Sequence, residues 1–246
     1  MDAVIIAAGY GSRLASLSSS KPLTPVCGVP LIEIGIRQAA AAGVTRVVVV
    51  TGHRADDVEA FLADLAQRIE VEIEPVRVAD WSKPNGYSVM AGASRCKGDY
   101  LLMMADHMFD SAILAALCSI GSETRDVTLA IDRHIDSPLI DPDDATWVKL
   151  GANGFISAIG KTIPAWDAVD CGAFLATPRL AEAIAAAIDS GKAGSLSDGM
   201  QWLADRGRAA TLEIGGAWWM DVDDPRAHEL AEELAPRHLT AAFAAI

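Results

Sequence analysis

Val4-Ile5-Ile6-Ala7-Ala8-Gly9-Tyr10-Gly11-Ser12-Arg13-Leu14, followed shortly by Ser20-Lys21-Pro22-Leu23, decides how the rest of this chain reads. An apolar run that breaks into a glycine-rich turn is the pattern of a buried strand delivering a phosphate-cradling loop. Gly9 and Gly11 carry no Cβ, so the backbone can adopt positive φ and let an anion approach its N–H groups. A helix beginning near Ser12 would add the positive end of its dipole. Arg13 offers a planar fork of donors and Lys21 a mobile point charge. The loop is not a dinucleotide fingerprint, because Leu14 stands where the third glycine belongs, and it is not a P-loop, because the Gly-Lys-Ser/Thr ending is missing.

Outward from this loop the chain alternates. Leu31 to Ala42 reads as a helix stopped by Gly43, Val44 to Gly52 as a β-branched strand buried on both faces, Asp56 to Arg68 as an amphipathic helix, and Ile69 to Val76 as a half-exposed strand. Strand, helix, strand, helix, strand predicts an α/β fold with a Rossmann-like doubly wound, mostly parallel sheet and helices on both faces. Ser82 to Ser88 is a polar turn before a short helix, Val89 to Arg95. As turn chemistry Pro84-Asn85-Gly86 needs no further role; as a site, Asn85, the Gly86 backbone and Ser88 would line a nucleobase pocket at the strand ends.

Asp99 to His107 is an apolar strand ending abruptly in Asp106-His107. Ligands of open α/β sheets bind beyond the carboxyl ends of strands, so Asp106 is a candidate magnesium ligand; the alternative is that it caps the helix beginning near Asp110. Asp126 to Ile131 forms another strand, Asp132 to Asp144 a polar flap with two prolines, and Thr146–Leu150 with Phe155–Ile159 an added β-hairpin. Val169 to Leu175 is a further strand carrying Asp170 and Gly172. Pro178 to Ser190 and Ser197 to Asp205 are helices, Ala210 to Gly215 and Trp218 to Asp223 strands, and Pro225 to Leu234 the last helix. Along an extended segment Asp221 and Asp223 point to one face, and two such carboxylates repel unless a divalent ion lies near them; a solvated turn is the plainer alternative.

Of 246 residues 51% are hydrophobic, enough for a full core, and the formal charge is −13. That balance disfavours nucleic-acid binding, which needs Lys and Arg against phosphates, and suits a divalent cation held on carboxylates. Cys27, Cys96, Cys118 and Cys171 are scattered, without zinc spacing, and read as buried free thiols. No charged segment precedes the first apolar run, which is too short for a signal peptide or a membrane span, so a cytoplasmic protein without membrane insertion is expected.

The string Ala-Ala-Gly-x-Gly-Ser-Arg-Leu with Lys-Pro-Leu downstream resembles the signature of the nucleotidyltransferases that join a nucleoside triphosphate to a sugar phosphate or alcohol phosphate. Asn85-Gly86-Tyr87-Ser88, Ala105-Asp106-His107, Asp144 to Lys149, Ile159-Gly160-Lys161, Val169 to Phe174 and Trp219 to Asp223 look like the inositol-1-phosphate cytidylyltransferase branch and recur in its order. The resemblance implies one nucleotidyltransferase domain over 1–246, with a nucleotide-binding part over about 1–131 and an acceptor-binding part over about 132–235. It implies that Ala7, Ala8, Gly9, Gly11, Ser12, Arg13 and Lys21 hold the triphosphate of CTP, and that Arg13, Lys21 and Asp106 are catalytic. Asp106, Asp221 and Asp223 would hold Mg²⁺. Lys149 and Lys161 are the cations available to the acceptor phosphate, and His107, Asp132 and Asp170 could bond polyol hydroxyls. The implied reaction gives CDP-inositol and pyrophosphate, and a separate CDP-alcohol phosphotransferase is the expected consumer. A homodimer is compatible with the sequence. The rivals are transfer to phosphocholine, a phosphonate or a sugar 1-phosphate, and a regulatory module that binds nucleotide without turnover.

Overall fold

The fold was obtained as a computed structural model and describes residues 1–121 and 124–243. In chain order the first half comprises β1 (Asp2–Ile6), a short β2–β3 hairpin (Pro25–Val26, Val29–Pro30), α1 (Leu31–Ala41), β4 (Arg46–Thr51), α2 (Ala55–Leu65), β5 (Glu72–Arg77), α3 (Gly86–Ala93), β6 (Tyr100–Met104), β7 (His107–Phe109) and α4 (Ser111–Ser119). The second half continues with β8 (Val127–Asp132), β9 (Trp147–Leu150), β10 (Ile156–Gly160), β11 (Ala168–Ala176), α5 (Arg179–Asp189), α6 (Leu196–Ala204), β12 (Ala209–Glu213), β13 (Trp219–Asp221), α7 (Pro225–His238) and α8 (Thr240–Phe243).

The central sheet has nine strands in the order β10-β9-β11-β6-β1-β4-β5, with β8 paired to β11 and β12 to β8. β4, β1 and β6 run parallel with Ile6 level with Val50 on one side and Met104 on the other, so their carboxyl ends finish together. The sequence order reverses between β1 and β6, and this is where open α/β sheets bind ligands. β11 lies antiparallel to β6, β8 and β9. The expected doubly wound, mixed sheet with an added hairpin is therefore present, and strands from both halves of the chain share it.

Two apolar cores cover the sheet's faces, one built on Ile32, Leu62 and Leu114, the other on Val89, Ile184 and Leu203. A third, of Leu14, Val26, Ile34, Met108, Met220 and Ala235, lies outside the sheet and packs α7 against the β2–β3 hairpin and the β7–β13 ribbon. That ribbon brings two distant segments together: Asp221 pairs with His107, and the Val222 N–H donates to the Asp106 carbonyl at 2.9 Å.

Four local expectations change. No helix starts at Ser12: Ser12–Leu14 is one 3₁₀ turn after Gly11 at φ +62°, too few aligned peptides to sum a useful dipole. The strand before Asp106 stops at Met104, and His107 opens β7 instead. α3 begins at Gly86 and α7 runs through Pro236 to His238. Glu232, whose carbonyl loses its helical donor to that proline, accepts from the Cys27 thiol at 3.3 Å. Cys171 alone is fully buried; Cys27, Cys96 and Cys118 are free and half-buried. Among the described residues no helix is long and apolar enough to cross a membrane.

Candidate active site

Two cavities meet at the carboxyl ends of β1 and β6. The smaller, about 130 Å³, is lined by Ala7, Gly9, Gly11, Lys21 and Asp106. The larger, about 220 Å³, is lined by Asn85, Asp106, His107, Asp144, Lys161, Asp170, Asp221 and Asp223 among others. Asp106 borders both, so one carboxylate stands between the glycine loop and the wider cleft. Gly11 has a local reason to be glycine: besides its positive φ, a Cβ there would lie 2.4 Å from Lys21 Cβ. A Cβ on Gly9 would meet nothing within 4 Å, which leaves its backbone open to an approaching group.

Cations and carboxylates interlock at this junction. Lys21 Nζ contacts Asp106 Oδ2 at 2.5 Å and also binds Asp223. Arg13 joins Asp144 and Asp223, each at 2.7 Å, and Lys161 contacts Asp144. Burial opposes ionisation of Asp106, but Lys21 and His107 outweigh it and hold the carboxyl far below the usual range. Asp144 is likewise lowered, burial being overcome by Lys161 and Arg13. Asp221 goes the other way: burial raises it, Asp106 and Asp144 add to that, and His107 with Lys21 only partly compensate. The Asp144, Asp221 and Asp223 carboxylates each offer an oxygen within 4.8 Å of the others. Among the described residues Asp221 is the one of these three without an ion-pair partner.

That donor set fits a hard divalent cation. It is all carboxylate oxygen, partly desolvated, and contains in Asp221 a carboxylate without an ion-pair partner among the described residues. Asp144 was not expected among these groups. It lies in the Asp141-Pro142-Asp143-Asp144 run of the flap, and composition could not show that this loop folds back over the glycine turn, where Arg13 binds it. Asp106 sits beside the three, one oxygen facing Lys21 and the other His107 Nδ1 at 2.7 Å.

Other expected residues are distributed unevenly. Lys161 and Asp170 line the cleft. Asp170 accepts from the Gly172 N–H at 2.7 Å, and burial pushes its carboxyl up to about 6 against that bond and the nearby His107. Lys149 does not reach the cleft; its ammonium pairs with Asp167 at 2.9 Å on the hairpin. Asp132 does not reach it either, because its carboxylate is spent on Trp219 and His134. Asn85 faces the wide cleft, with its amide oxygen accepting from the Leu196 N–H at 2.8 Å. Ser88 is buried in α3 and lines neither cavity. Gly86 is a packing contact, since a Cβ would fall 2.3 Å from the Gly194 carbonyl oxygen. Ala8 is buried with its carbonyl accepting from the His53 N–H, and Ser12 is exposed at the rim.

Residues 3–205 match the model of the MobA-like NTP transferase domain. The chain is 32% identical over 237 residues to a bifunctional IPC transferase and DIPP synthase of Rubrobacter xylanophilus, covering 94% of this chain and 51% of that protein. It is 32% identical over 234 residues to the protein of the same description from Aquifex aeolicus, covering 94% and 51%. The chain thus spans about half the length of these curated relatives. Its fold matches the structure of the inositol-1-phosphate CTP transferase from T. maritima with a TM-score of 0.80 at 24% identity, covering 95% of this chain and 96% of that one.

Proposed function

The chain belongs to the family of MobA-like NTP transferase domains, and from that premise we propose that it joins CTP to an alcohol phosphate, inositol 1-phosphate foremost, releasing pyrophosphate. The printed descriptions of the relatives support the choice of substrates. The observation that carries the chemistry is the junction at Asp106, where a glycine-loop cavity with Lys21 opens into a cleft bearing Lys161 and Asp170.

In the proposed reaction an oxygen of the acceptor phosphate attacks the α-phosphorus of CTP, the bond to the bridging oxygen breaks, and pyrophosphate leaves. Such transfer depends on positioning and charge stabilisation rather than on a protein nucleophile. Arg13 and Lys21 neutralise the triphosphate and the departing pyrophosphate. Lys161 is the cleft ammonium suited to the acceptor phosphate, and Asp170, whose carboxyl is raised to about 6 by burial, bonds a hydroxyl of the polyol. Asp221 and Asp223, with Asp106 and Asp144 beside them, would hold Mg²⁺. The cation, when bound, supplies charge stabilisation at the transferring phosphoryl group, and it commonly takes only one or two carboxylates directly.

The arrangement also couples the two charges. Arg13 and Lys21 are neutralised by the same carboxylates that a cation would use, so a triphosphate drawing these side chains to itself frees Asp223 for the metal and leaves Asp144 with Lys161 alone. The test is a panel of CTP, UTP, dTTP, ATP and GTP crossed with inositol 1-phosphate, phosphocholine, an aminoalkyl phosphonate and glucose 1-phosphate, read by pyrophosphate release with Mg²⁺. Fastest release with CTP and inositol 1-phosphate is expected. A faster sugar-phosphate pair would replace the acceptor, and no release with any pair would leave a nucleotide binder without turnover.

A further inference from the structure

Asp132 is one of the few charged side chains that the fold buries, at 8% exposure. Its Oδ2 accepts from Trp219 Nε1 at 3.0 Å, and its Oδ1 accepts from the His134 backbone N–H at 2.8 Å. The indole so fixed lies 16° from parallel with the His107 ring, centroids 6.1 Å apart, and Phe109 packs on the same ring at 25° and 6.1 Å. Gly172 completes the enclosure. At φ +79° it has no Cβ where one would stand 2.4 Å from His107 Cδ2, so any other residue would displace the ring.

Held in this way, His107 presents Nδ1 to Asp106 Oδ1 at 2.7 Å, while Asp106 Oδ2 faces Lys21. With Asp106 Oδ2 turned to the Lys21 ammonium, the short contact at Oδ1 is that of an acceptor oxygen, and the ring proton on Nδ1 donates to it. Without that donor the carboxylate would be free to turn about its own bond and close both oxygens on Lys21, its nearest cation.

We infer that Asp132, Trp219 and His107 are positioning residues that fix the orientation of the Asp106 carboxylate for the divalent cation; this rests on the metal role proposed above for Asp106. The chain of contacts runs from a buried anchor to the junction of the two cavities, and two of its three members need no contact with substrate. Asp132 in fact borders a separate cavity of about 300 Å³ on the far side of Trp219. It explains why an anion is buried at the end of β8, and why His107 is held between two aromatic rings at the edge of the cleft. Hydrogen-bond partners behind a metal ligand are typically worth tenfold to a hundredfold in metal affinity or activity.

The test uses Mn²⁺ as the probe, titrated with and without CTP and followed by the electron paramagnetic resonance signal of the free ion, with thermal unfolding and pyrophosphate release measured in parallel. Trp219→Phe keeps an aromatic face and removes only the donor to Asp132; His107→Leu removes the donor to Asp106, and His107→Asn puts an amide nitrogen near the place of Nδ1. About tenfold weaker Mn²⁺ binding is expected for Trp219→Phe. A larger loss is expected for His107→Leu, with partial recovery in His107→Asn. A role in packing alone predicts the opposite order for the two His107 variants, since the apolar side chain would suit the aromatic enclosure better. Folded variants that bind Mn²⁺ as the wild type does overturn the inference. Wild-type protein that binds no Mn²⁺ in either condition overturns it together with the metal role of Asp106. Wild-type protein that binds Mn²⁺ and releases no pyrophosphate overturns the proposed reaction and leaves the positioning chain standing if the variants rank as expected.

Discussion

At Lys21 a single ammonium, mostly covered by the fold, bridges Asp106 and Asp223. Lys21→Ala should leave the protein folded and lower turnover by about 10²- to 10³-fold, the usual loss when one preorganised charge partner of a transition state is removed; steady-state kinetics beside a circular-dichroism melt would show both, and wild-type turnover would remove its catalytic role. Asp170 yields a prediction about stability. Its carboxyl is raised from an ordinary 3.8 to about 6, chiefly by burial, so the folded state binds the proton more tightly than the unfolded chain does. The wild type therefore loses stability as pH rises through that window, and a neutral isostere does not. Asp170→Asn should be about 2 kcal/mol more stable than wild type at pH 8 and gain little at pH 4, measured by urea unfolding at both pH values. An equal gain at both would show that the carboxylate is not strained by its burial. Residue identities of this kind were partly legible in the sequence. Arg13, Lys21, Asp106, Asp221 and Asp223 do converge, and their types and strand-end positions pointed to them. Lys149 and Asp132 were misplaced because partners such as Asp167 and Trp219, which occupy their charges, are set by packing that composition does not reveal.

Among the elements, the buried parallel strands were the most legible, because β4 and β6 are runs of apolar residues that only a sheet covered on both faces accommodates. The β7–β13 ribbon was the least so. β7 is three residues long and its partner lies more than a hundred residues away, so no local periodicity announces it, yet it alone sets Asp221 beside His107. The start of α3 was hidden for a related reason: Pro84-Asn85-Gly86 has turn composition, and what makes residue 86 glycine is the Gly194 carbonyl arriving from another helix connection. Gly86→Ala should then destabilise by about 1–3 kcal/mol, as overpacking against backbone does. A chemical denaturation curve would check it, and a change below about 0.5 kcal/mol, the range of ordinary surface substitutions, would mean that the two backbones part easily. Because Asn85 accepts from the Leu196 N–H at the first residue of α6, this junction ties the cleft wall to α3 and α6 at once.

Over the whole molecule the segments of the site are tied together by its own charges. The flap carrying Asp144 is joined to the glycine loop through Arg13 and to the hairpin through Lys161, while Asp221 is left without an ion-pair partner among the described residues. Triphosphate alone would draw off Arg13 and Lys21 and leave Asp106, Asp144, Asp221 and Asp223 facing one another with only Lys161 and His107 against them. Divalent cation alone would have to compete with those two side chains for the same oxygens. Each ligand thus removes an obstacle to the other, which is positive coupling and by linkage must be reciprocal. The expected outcome is that CTP with Mg²⁺ raises the melting temperature by more than the two separate shifts added together. At about 100-fold excess over the dissociation constant the stabilisation is about 2.7 kcal/mol, which for a chain of this length corresponds to a shift of about 5–10 °C. Differential scanning fluorimetry of the four conditions, repeated with chelator, decides it: separate shifts that simply add would mean that the cations and carboxylates seen in contact do not compete with either ligand. Arg13→Ala sharpens the reading. That variant removes one of the two cations on each of Asp144 and Asp223 and leaves Lys161 and Lys21 in place, so Mg²⁺ alone should now stabilise it more than it stabilises the wild type, while CTP alone stabilises it less.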